Sequence, residues 1–433
     1  MARLIAMKIF LDVVGCRLNQ SEIETFARQF RAAGHEIVEH AHAADLVVVN
    51  TCAVTAQAAS DSRQKIRQAQ RAGAGEIIAT GCWATLEPGK AAALDGVAQV
   101  VPNAIKDALV SNVLQIPLET FEQEPIEREL LPGARLRTRA FIKVQDGCDN
   151  RCTFCVTTLA RGEGRSYAVA HILNDVQRAL AGGAQEVVLT GVHLGSWGQD
   201  FTPAMHLRDL IHIILRETAV PRLRLSSLEP WDLDEDFFSL WQDPRLCRHL
   251  HLPLQSGCDA TLRRMARKTT RKTFTALVQA ARRVVPEMAI TTDLIAGFPA
   301  ETDAEFAQTL EFVQAMQFAG GHVFTYSARP GTAAARMSGQ IPLEVRKTRN
   351  AQLRAQLEAD AEIYRLRFLN QTLNVLWEAA STLGPRGWTV GGMADNGVSV
   401  HALAPANLWN SITPVRLIAA EAGGLWGEVI QNE

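Results

Sequence analysis

The sequence predicts an α/β protein in three parts: an N-terminal domain built on a parallel sheet, a partial (β/α)6 barrel, and a small C-terminal all-β barrel. Short apolar runs rich in β-branched residues alternate with helical patterns over most of the chain, and this alternation favours parallel sheets covered by helices. After residue 370 the runs are separated by Gly, Pro and Asn, which is typical of a small barrel. A length of 433 residues also exceeds the usual size of one domain.

The N-terminal domain is predicted over residues 1–117. Its strands are expected where the sequence reads KIFLDVV (8–14), DLVVVN (45–50) and EIIATG (76–81). Helical patterns lie between these runs, so the three strands should be neighbours in one parallel sheet. The following segment, 118–139, is charged and interrupted by proline and glycine, and we interpret it as a linker.

The partial barrel is predicted over residues 140–369, and a single charged helix is expected at 340–370 near its end. Six candidate strands lie at 141–145, 186–191, 222–227, 248–254, 288–295 and 321–327. Six βα units do not close a barrel and leave a gap that faces solvent. The C-terminal barrel is predicted over 370–433, from five short runs: LNVLWEAA, WTVGGM, GVSVHAL, ITPVRLIAA and LWGEVI.

The amino-acid composition limits the cellular compartment and the kinds of partner that are expected for this protein. The chain is 47% hydrophobic and 21% charged with a formal net charge of −2, so any contact with nucleic acid must come from local basic patches. No stretch is apolar and long enough to span a bilayer, and the apolar N-terminus runs into a strand pattern without a cleavage site. We therefore expect a cytoplasmic protein with no membrane contact. Eight cysteines are too few for a disulfide scaffold, and clustered ones indicate metal or redox chemistry.

Three of these cysteines form a compact motif, CDNRCTFC, directly after the first predicted barrel strand. Cys148, Cys152 and Cys155 have the spacing C-x3-C-x2-C, and three thiolates in one loop can bind three irons of a [4Fe-4S] cluster. The fourth iron would then be open to a small molecule. A structural zinc site is the alternative, but such a site needs a fourth ligand, and no Cys or His stands at a matching local spacing.

Cys16, Cys52 and Cys82 are far apart in sequence, yet each follows a predicted strand by one or two residues. The carboxyl ends of parallel strands meet at one edge of a sheet, so the three thiols should converge there. Gly15 and Gly81 precede two of them and allow a tight turn close to a cofactor. This pattern predicts a second cluster with an open iron. Three buried free cysteines remain the alternative at this point.

The CDNRCTFC loop resembles the signature of radical S-adenosylmethionine enzymes, and the flanking words resemble one family among them, the methylthiotransferases. The N-terminal matches are GCRLNQSEIE, NTCAVTAQAASDSRQKIR and ATGCWA. Further matches are TGVHLGSWG, SSLEP, HLPLQSG, DLIAGFPAET and FTYSARPGT, and the C-terminal domain is similar to the RNA-binding TRAM module. The resemblance covers nearly the whole chain. The words GCRLNQ and NTCAVT are most similar to the subfamily that modifies N6-threonylcarbamoyladenosine in tRNA.

The resemblance implies two [4Fe-4S] clusters, S-adenosylmethionine, a tRNA substrate and an electron donor of flavodoxin or ferredoxin type. One S-adenosylmethionine would methylate sulfur at the Cys16, Cys52 and Cys82 cluster. A second would be cleaved at the other cluster to give the radical that activates the adenine C2–H bond, giving 2-methylthio-N6-threonylcarbamoyladenosine at position 37. The family's other branches act on isopentenyladenosine in tRNA or on an aspartate of a ribosomal protein, and a non-catalytic iron–sulfur RNA-binding or sensor protein is an alternative of another class.

The resemblance also implies where S-adenosylmethionine binds. The candidates lie in the cysteine loop or at barrel strand ends: Phe154, Thr190, Gly191, His193, Ser227, Glu229, Gln255, Asp293 and Gly297. Phe154 would lie beside the adenine, and the segment 190–193 near the methionine moiety. Ser256 is a weaker candidate after the fourth strand. Each polar residue could equally serve a local turn or cap. We interpret His251 as a hydrogen-bonded core histidine, and Cys247 and Cys258 as structural.

Contacts with tRNA phosphates are expected from two basic runs. They are Arg263, Arg264, Arg267, Lys268, Arg271 and Lys272 in one, and Arg63, Lys65, Arg67 and Arg71 in the other. A solvated helix face is the alternative. From Leu366 onward, however, three basic residues stand against five acids, which is unusual for an RNA-binding barrel. Gly397 also stands where the family tends to carry an aromatic. This domain could bind RNA through backbone contacts and stacking on Trp377, Trp388, Trp409 or Trp426, or it could act as a lid or a protein-binding surface.

Overall fold

The computed structural model describes residues 6–122, 138–385 and 387–430. Within them the chain forms a parallel sheet, two further parallel sheets that together make a half-barrel, and a closed five-stranded barrel. The predicted α/β fold class is therefore confirmed. Most of the predicted linker 118–139 lies outside the described residues, and its described beginning is a 3-10 turn at Leu118–Glu122.

Five strands form the N-terminal sheet: β1 (Lys8–Val13), β2 (Glu36–Ile37), β3 (Leu46–Thr51), β4 (Glu76–Gly81) and β5 (Val97–Val101). All pairs are parallel, in the order β2-β1-β3-β4-β5. The flanking helices are α1 (Arg17–Ala32), α2 (Ala56–Arg71), α3 (Cys82–Leu86), α4 (Pro88–Ala92) and α5 (Leu109–Leu114). The central strand β3 is buried along its whole length, which explains its apolar LVVV run.

Eight strands follow: β6 (Arg139–Lys143), β7 (Gln145–Asp146), β8 (Arg165–Ser166), β9 (Glu186–Thr190), β10 (Arg222–Leu225), β11 (His249–His251), β12 (Ala289–Ala296) and β13 (Gly320–Thr325). Six of them make the half-barrel, as parallel sheets β6-β9-β10 and β11-β12-β13. Parallel bridges between Leu223 and Leu246 and between Ser227 and His251 join the two sheets. The short pair β7–β8 is antiparallel and flanks the cysteine loop.

The helices of this part are α6 (Thr157–Arg161), α7 (Val169–Ala181), α8 (Leu207–Glu217), α9 (Asp259–Arg264), α10 (Arg271–Val284), α11 (Asp303–Met316) and α12 (Leu343–Leu366). Local sequence explains several helix starts; Thr302 and Glu305, for example, form a capping box that satisfies backbone donors at the start of α11. α12 corresponds to the charged helix expected at 340–370. No helix among the described residues is both long and apolar enough to cross a membrane.

The last five strands are β14 (Thr372–Gly384), β15 (Gly387–Ala394), β16 (Ser399–Ala404), β17 (Ile412–Glu421) and β18 (Gly424–Val429). They close in the order β14-β15-β16-β18-β17 around an apolar core that includes Trp377. This barrel docks where the half-barrel strands begin. Arg222 donates to the carbonyls of Met393 and Asn374, and Arg224 donates to the carbonyl of Asp395.

Acidic side chains of the C-terminal barrel take part in this docking. The Arg139 Nε lies 2.6 Å from Glu378 Oε1, and the Arg248 Nε lies 2.7 Å from Asp395 Oδ2. Two of the acids that make this barrel's sequence unusual for RNA binding therefore pair with arginines of the half-barrel. The Asn-Gly turn at Gly397 has φ +80° and approaches His249, which accounts for a glycine at this position.

Candidate active site

Cys16, Cys52 and Cys82 lie together at the carboxyl edge of the N-terminal sheet, and we term them the convergent triad. They follow β1, β3 and β4, which are adjacent in the sheet. A Cβ added at Gly15 would lie 2.5 Å from the Cys52 Sγ, and the charge of Cys52 would interact with those of Cys16 and Cys82. Cys52 and Cys82 are buried, whereas Cys16 is exposed at the edge of the group.

Two glycines permit this convergence. Gly15 has φ +103° and Gly81 has φ +91°, both in the region that side chains disfavour. A Cβ at Gly81 would also come within 2.3 Å of the Thr51 carbonyl oxygen. The chain can turn from strand to cysteine this tightly only with glycine at both places.

Cys148, Cys152 and Cys155 lie in the loop between β7 and α6, and we term them the loop triad. All three are partly buried. The Cys155 backbone N–H donates to the Cys152 carbonyl at 3.1 Å, and the Thr157 backbone N–H points at the Cys155 sulfur at 3.3 Å. The local backbone therefore holds Cys152 and Cys155 close together, and the charge of Cys155 would interact with that of Cys148.

Both triads have the donor chemistry of an iron–sulfur site. Burial raises the pKa of the Cys52 thiol to about 11 and also raises the pKa values of Cys152 and Cys155, so their thiolates need a bound cation as a counter-charge. Among the described residues, no three His, Cys, Asp or Glu side chains surround a point where one metal ion could sit. Separate thiols suit a four-iron cluster, because each binds a different iron.

Arg161 is a buried cation beside the convergent triad and was not identified from the sequence. It is the last residue of α6, just after the loop triad, and its side chain is only 2% exposed. It donates to Glu22 Oε1 at 3.0 Å, Asp146 Oδ1 at 2.9 Å and Asn19 Oδ1 at 2.8 Å. Its charge also acts on Cys16. Arg161 therefore ties the loop-triad segment to the helix that begins after Cys16.

Glu22 is the acidic centre of the same buried cluster. Burial alone would raise its pKa, but Lys106, Arg161 and Lys143 outweigh that effect and hold the pKa well below its ordinary value. Lys106 forms a buried ion pair with Glu22 and donates to Asn50 Oδ1 at 2.8 Å. A carboxylate with three cationic neighbours is thus placed between the N-terminal sheet and the half-barrel.

Asn103 makes a second bridge between these two parts. Its Nδ2 donates to the Ala160 carbonyl at 2.8 Å and lies 3.7 Å from the Cys82 sulfur. Ala160 belongs to α6, so the side-chain amide of Asn103 contacts both the backbone near the loop triad and a thiol of the convergent triad.

Two further arginines of the half-barrel approach the cysteines. Arg329 donates to the Ala53 carbonyl at 2.6 Å, and its charge interacts with Cys52. Arg267 places its Nη1 3.7 Å from the Cys152 sulfur and pairs with both carboxylate oxygens of Glu229, at 3.1 and 2.6 Å. Positive charge therefore reaches both triads from the half-barrel.

His193 contacts the loop triad from β9. Burial lowers its pKa, but hydrogen bonds to Asp232 and Cys148 outweigh burial and raise the pKa to about 10. The Nε2–Asp232 Oδ2 distance is 2.6 Å, and the His193 backbone N–H donates to Gln145 Oε1 at 2.8 Å. Asp232 and Gln145 thus fix the position of His193 beside Cys148, and no pattern in the sequence marks either residue.

The other predicted S-adenosylmethionine residues are spread along the strand ends. Phe154 packs beside Met265 and Phe298. Thr190 is buried at the end of β9, and Gly191 lies against Gln145, where a Cβ would come within 3.0 Å. These residues lie at strand ends or beside the cysteine loop, as expected from the sequence.

Four more candidates lie at the ends of β10, β11 and β12. Ser227 is exposed. Gln255 has φ +72°, and its backbone joins Asp293 and Ile295. Asp293 Oδ2 lies 3.3 Å from His251 Nε2, while its Oδ1 is buried without a hydrogen-bond partner among the described residues. His251 also bonds Thr291 Oγ1 at 3.0 Å.

Three predicted candidates have structural partners that account for them. Both carboxylate oxygens of Glu229 accept hydrogen bonds from Arg267. Gly297 has φ +73°, and a Cβ there would meet the Arg346 side chain at 2.2 Å. Ser256 is buried and bonds Thr309. Cys247 and Cys258 are both buried, in agreement with a structural role.

The longer basic run is not one continuous basic surface. Arg267 is buried against Glu229, and Arg264 pairs with Glu305 Oε2 at 2.6 Å. Arg271 lies over the Phe312 ring. The exposed cations of the two runs are Arg263, Lys268, Lys272, Arg67 and Arg71. The expectation that each whole run faces phosphates was too broad, because the helix faces turn several of these side chains inward.

Comparison with known proteins agrees with this arrangement. Residues 8–102 match the model described as Uncharacterized protein family UPF0004, and residues 142–313 match the Radical SAM superfamily. The chain is 34% identical to the threonylcarbamoyladenosine tRNA methylthiotransferase MtaB of Bacillus subtilis, over 95% of this chain and 94% of that protein. It is 29% identical to the tRNA-2-methylthio-N(6)-dimethylallyladenosine synthase of Geobacillus kaustophilus, over 98% and 82%.

A solved structure supports the fold. The radical S-adenosylmethionine methyltransferase TsrM from Kitasatospora setae, with cobalamin and a [4Fe-4S] cluster bound, matches with a TM-score of 0.59 at 16% identity, over 76% of this chain and 77% of that one. The resemblance found in the sequence is thereby confirmed. The chain belongs to the methylthiotransferase family of radical S-adenosylmethionine enzymes, which use S-adenosylmethionine and [4Fe-4S] clusters.

Proposed function

We propose that this enzyme methylthiolates C2 of N6-threonylcarbamoyladenosine at position 37 of tRNA, with S-adenosylmethionine as methyl donor and radical source. The relative from Bacillus subtilis carries that activity in its name and matches almost end to end. The observation that carries the proposal is that Arg161, in the segment just after the loop triad, bonds Asn19 and Glu22 of the helix that follows Cys16 and interacts electrostatically with Cys16 and Cys82. This contact supports the proposal because the reaction needs a radical source and a sulfur carrier on one substrate.

The residues have distinct roles in this proposal. The loop triad and the convergent triad each hold one [4Fe-4S] cluster. When bound at the loop triad, the reduced cluster and S-adenosylmethionine supply the radical chemistry, for which no side chain is suited. His193 and Arg267 orient Cys148 and Cys152 and offset their negative charge.

S-adenosylmethionine is proposed to lie along the strand ends. The residues assigned to it are Phe154, Thr190, Gly191, Ser227, Gln255 and Asp293. Glu229 and Gly297 have protein partners, so we assign them a positioning role through Arg267 and Arg346. The protein then binds, orients and excludes water, as cofactor enzymes require.

The partners follow from the same assignment. A tRNA anticodon arm would contact the exposed cations, among them Arg67, Arg71 and Lys268. An electron donor of flavodoxin or ferredoxin type would reduce the clusters, and the enzyme would act in the cytoplasm. We also propose the segments 1–117, 140–369 and 370–433 as the three folding domains.

Dimethylallyladenosine in tRNA is the second candidate substrate. The Geobacillus kaustophilus relative acts on it by name and covers 98% of this chain. The two candidates share the adenine and the new C2–S bond, and they differ only in the group on N6. The choice therefore rests on which residues meet that group.

The test is anaerobic reconstitution with iron and sulfide, followed by reaction with S-adenosylmethionine, dithionite and tRNA. Mass spectrometry of the digested nucleosides should show 2-methylthio-N6-threonylcarbamoyladenosine. Appearance of the dimethylallyl product alone would select the second candidate. No methylthiolated nucleoside from a protein that cleaves S-adenosylmethionine would contradict both.

A further inference from the structure

The guanidinium of Arg17 makes no hydrogen bond or ion pair with any residue that the structure describes. It directly follows Cys16 of the convergent triad and is the first residue of α1. α1 packs on the edge of the half-barrel, where the Ser21 hydroxyl donates to the Phe141 carbonyl at 2.9 Å. The side chain is exposed and makes no hydrogen bond or ion pair within 6–122, 138–385 and 387–430.

The charged groups near Arg17 are already paired with one another. Its electrostatic neighbours include Arg139, Arg224 and Glu186. Arg224 binds both oxygens of Glu186, at 2.6 and 3.1 Å, and Arg139 pairs with Glu378. Each of these arginines has its own carboxylate, and Arg17 forms no ion pair among the described residues.

The surroundings of Arg17 favour an added anion. Arg139 and Arg224 add further positive charge around Arg17, which an anionic group would offset. Asp293 is another electrostatic neighbour, and its Oδ1 is buried without a partner among the residues that the structure describes. A cation for an anionic group and an acceptor for a hydroxyl or N–H group thus lie where the N-terminal part meets the half-barrel.

We infer that Arg17 selects the substrate by pairing with the carboxylate of its threonylcarbamoyl group. The inference rests on the proposed function. A threonylcarbamoyl group keeps the threonine carboxylate, and a guanidinium matches a carboxylate with two parallel hydrogen bonds. A dimethylallyl group offers neither charge nor acceptor, so it would leave Arg17 unpaired, and sites built to pair polar groups reject analogues that lack them.

The position of Arg17 fits this role. C6 of adenine, which carries N6, and C2 flank the same ring nitrogen, so the N6 substituent lies close to the carbon that receives sulfur. A residue adjacent to Cys16 can therefore reach the substituent while the convergent triad faces C2. Arg17 acts as a specificity residue and takes no part in bond making.

The experiment compares three anticodon stem-loop RNAs with the reconstituted holoenzyme: one with N6-threonylcarbamoyladenosine, one with its threonyl methyl ester, and one with dimethylallyladenosine. The wild type should favour the acid over the ester by about 10- to 100-fold in kcat/KM, as expected for a lost charged hydrogen bond. Arg17→Gln should remove this preference through KM, and Arg17→Lys should keep part of it. Binding of each RNA, measured by fluorescence anisotropy, should follow the same order.

Controls separate this effect from damage to the site. Arg17→Gln should keep the wild-type iron content, S-adenosylmethionine cleavage and rate on the methyl ester. Arg216→Gln, at the exposed end of α8 and outside the assigned binding residues, should keep the acid–ester preference. Equal use of acid and ester by the wild type, or an unchanged preference in Arg17→Gln, overturns the inference while the proposed function stands. If the wild type modifies only the dimethylallyl RNA, both are overturned.

Discussion

Cys148, Cys152 and Cys155 lie within one short loop, whereas Cys16, Cys52 and Cys82 come from three separate strand ends. The loop triad takes its geometry from local backbone hydrogen bonds and from the pair β7–β8. The convergent triad depends on the order of strands in a sheet, on two glycines with positive φ, and on arginines from another part of the chain.

This difference separates two ways of building a thiolate site. A site within one loop forms whenever that loop folds, and its spacing is visible in the sequence. A site assembled from strand ends forms only when the surrounding tertiary structure is complete. The convergent triad should therefore be more sensitive to changes far from the cysteines.

Alanine at all three positions of one triad gives the largest expected effect. Loss of the loop triad should lower 5′-deoxyadenosine formation by at least about 1,000-fold, because ligands that act as a unit are lost together. Loss of the convergent triad should keep that cleavage but abolish methylthiolation. Each variant should bind about four irons per chain where the wild type binds about eight. Loss of cleavage in the convergent-triad variant would contradict independent sites.

Glu22→Gln should destabilise the protein by about 3–5 kcal/mol, because buried Lys106 and Arg161 lose their shared carboxylate. Urea unfolding of the apo protein measures this. The folded pKa of Glu22 lies below its ordinary value of 4.5, so its stabilisation is complete above pH 4.5 and is lost as pH falls toward the folded pKa. The free energy of unfolding of the Glu22→Gln variant should therefore lack this dependence on acid pH.

The matched control for this change is Glu36→Gln, an exposed carboxylate at the start of β2. It should alter the free energy of unfolding by less than about 0.5 kcal/mol. Iron loss in Glu22→Gln should be greater at the convergent triad than at the loop triad. Equal loss at both triads would show that the comparison between them is wrong.

Asp232→Asn should affect the loop triad alone. The aspartate orients His193, which hydrogen-bonds Cys148, and removal of such an outer partner typically costs about 10- to 100-fold in metal affinity or activity. S-adenosylmethionine cleavage per chain and iron retention against a chelator measure the effect. Asp236→Asn, on the exposed neighbouring turn, should match the wild type. Preferential loss of the convergent-triad cluster would count against this assignment.

Arg329→Gln should have the smallest effect, confined to the convergent triad. Loss of a positive charge near Cys52 makes an anionic cluster harder to reduce, so its midpoint potential should fall by about 30–60 mV, a change of about three- to tenfold in the equilibrium constant. Redox titration followed by electron paramagnetic resonance detects the shift, with Arg71→Gln as the exposed control. An unchanged potential would exclude Arg329 as a partner of this site.

Much of the architecture could be predicted from the sequence because it depends on local patterns. Apolar runs marked the strands of all three parts, and the spacing C-x3-C-x2-C marked the loop triad directly. To predict that Cys16, Cys52 and Cys82 converge, one must assume that their strands are neighbours in the sheet. The short motifs around these cysteines do not reveal the strand order. The sheet order supplies that fact.

The contacts that join the parts could not be predicted. Arg161, Asp232 and Arg329 bear no pattern that distinguishes them from surface charges, because their partners lie far away in sequence. Distant partners also explain why acidic residues in the C-terminal barrel are a poor guide to its affinity for RNA. Glu378 and Asp395 suggested poor affinity for RNA, yet each pairs with an arginine of the half-barrel.

The placement of Arg161 and Arg329 has a consequence for the order of maturation. Both arginines follow Cys16, Cys52 and Cys82 along the chain, so they emerge from the ribosome after the thiols that they approach. The convergent site is complete only once the later part of the chain has folded against it. Iron is therefore expected to enter this site late, and a truncated N-terminal fragment should hold its cluster less tightly than the full-length enzyme.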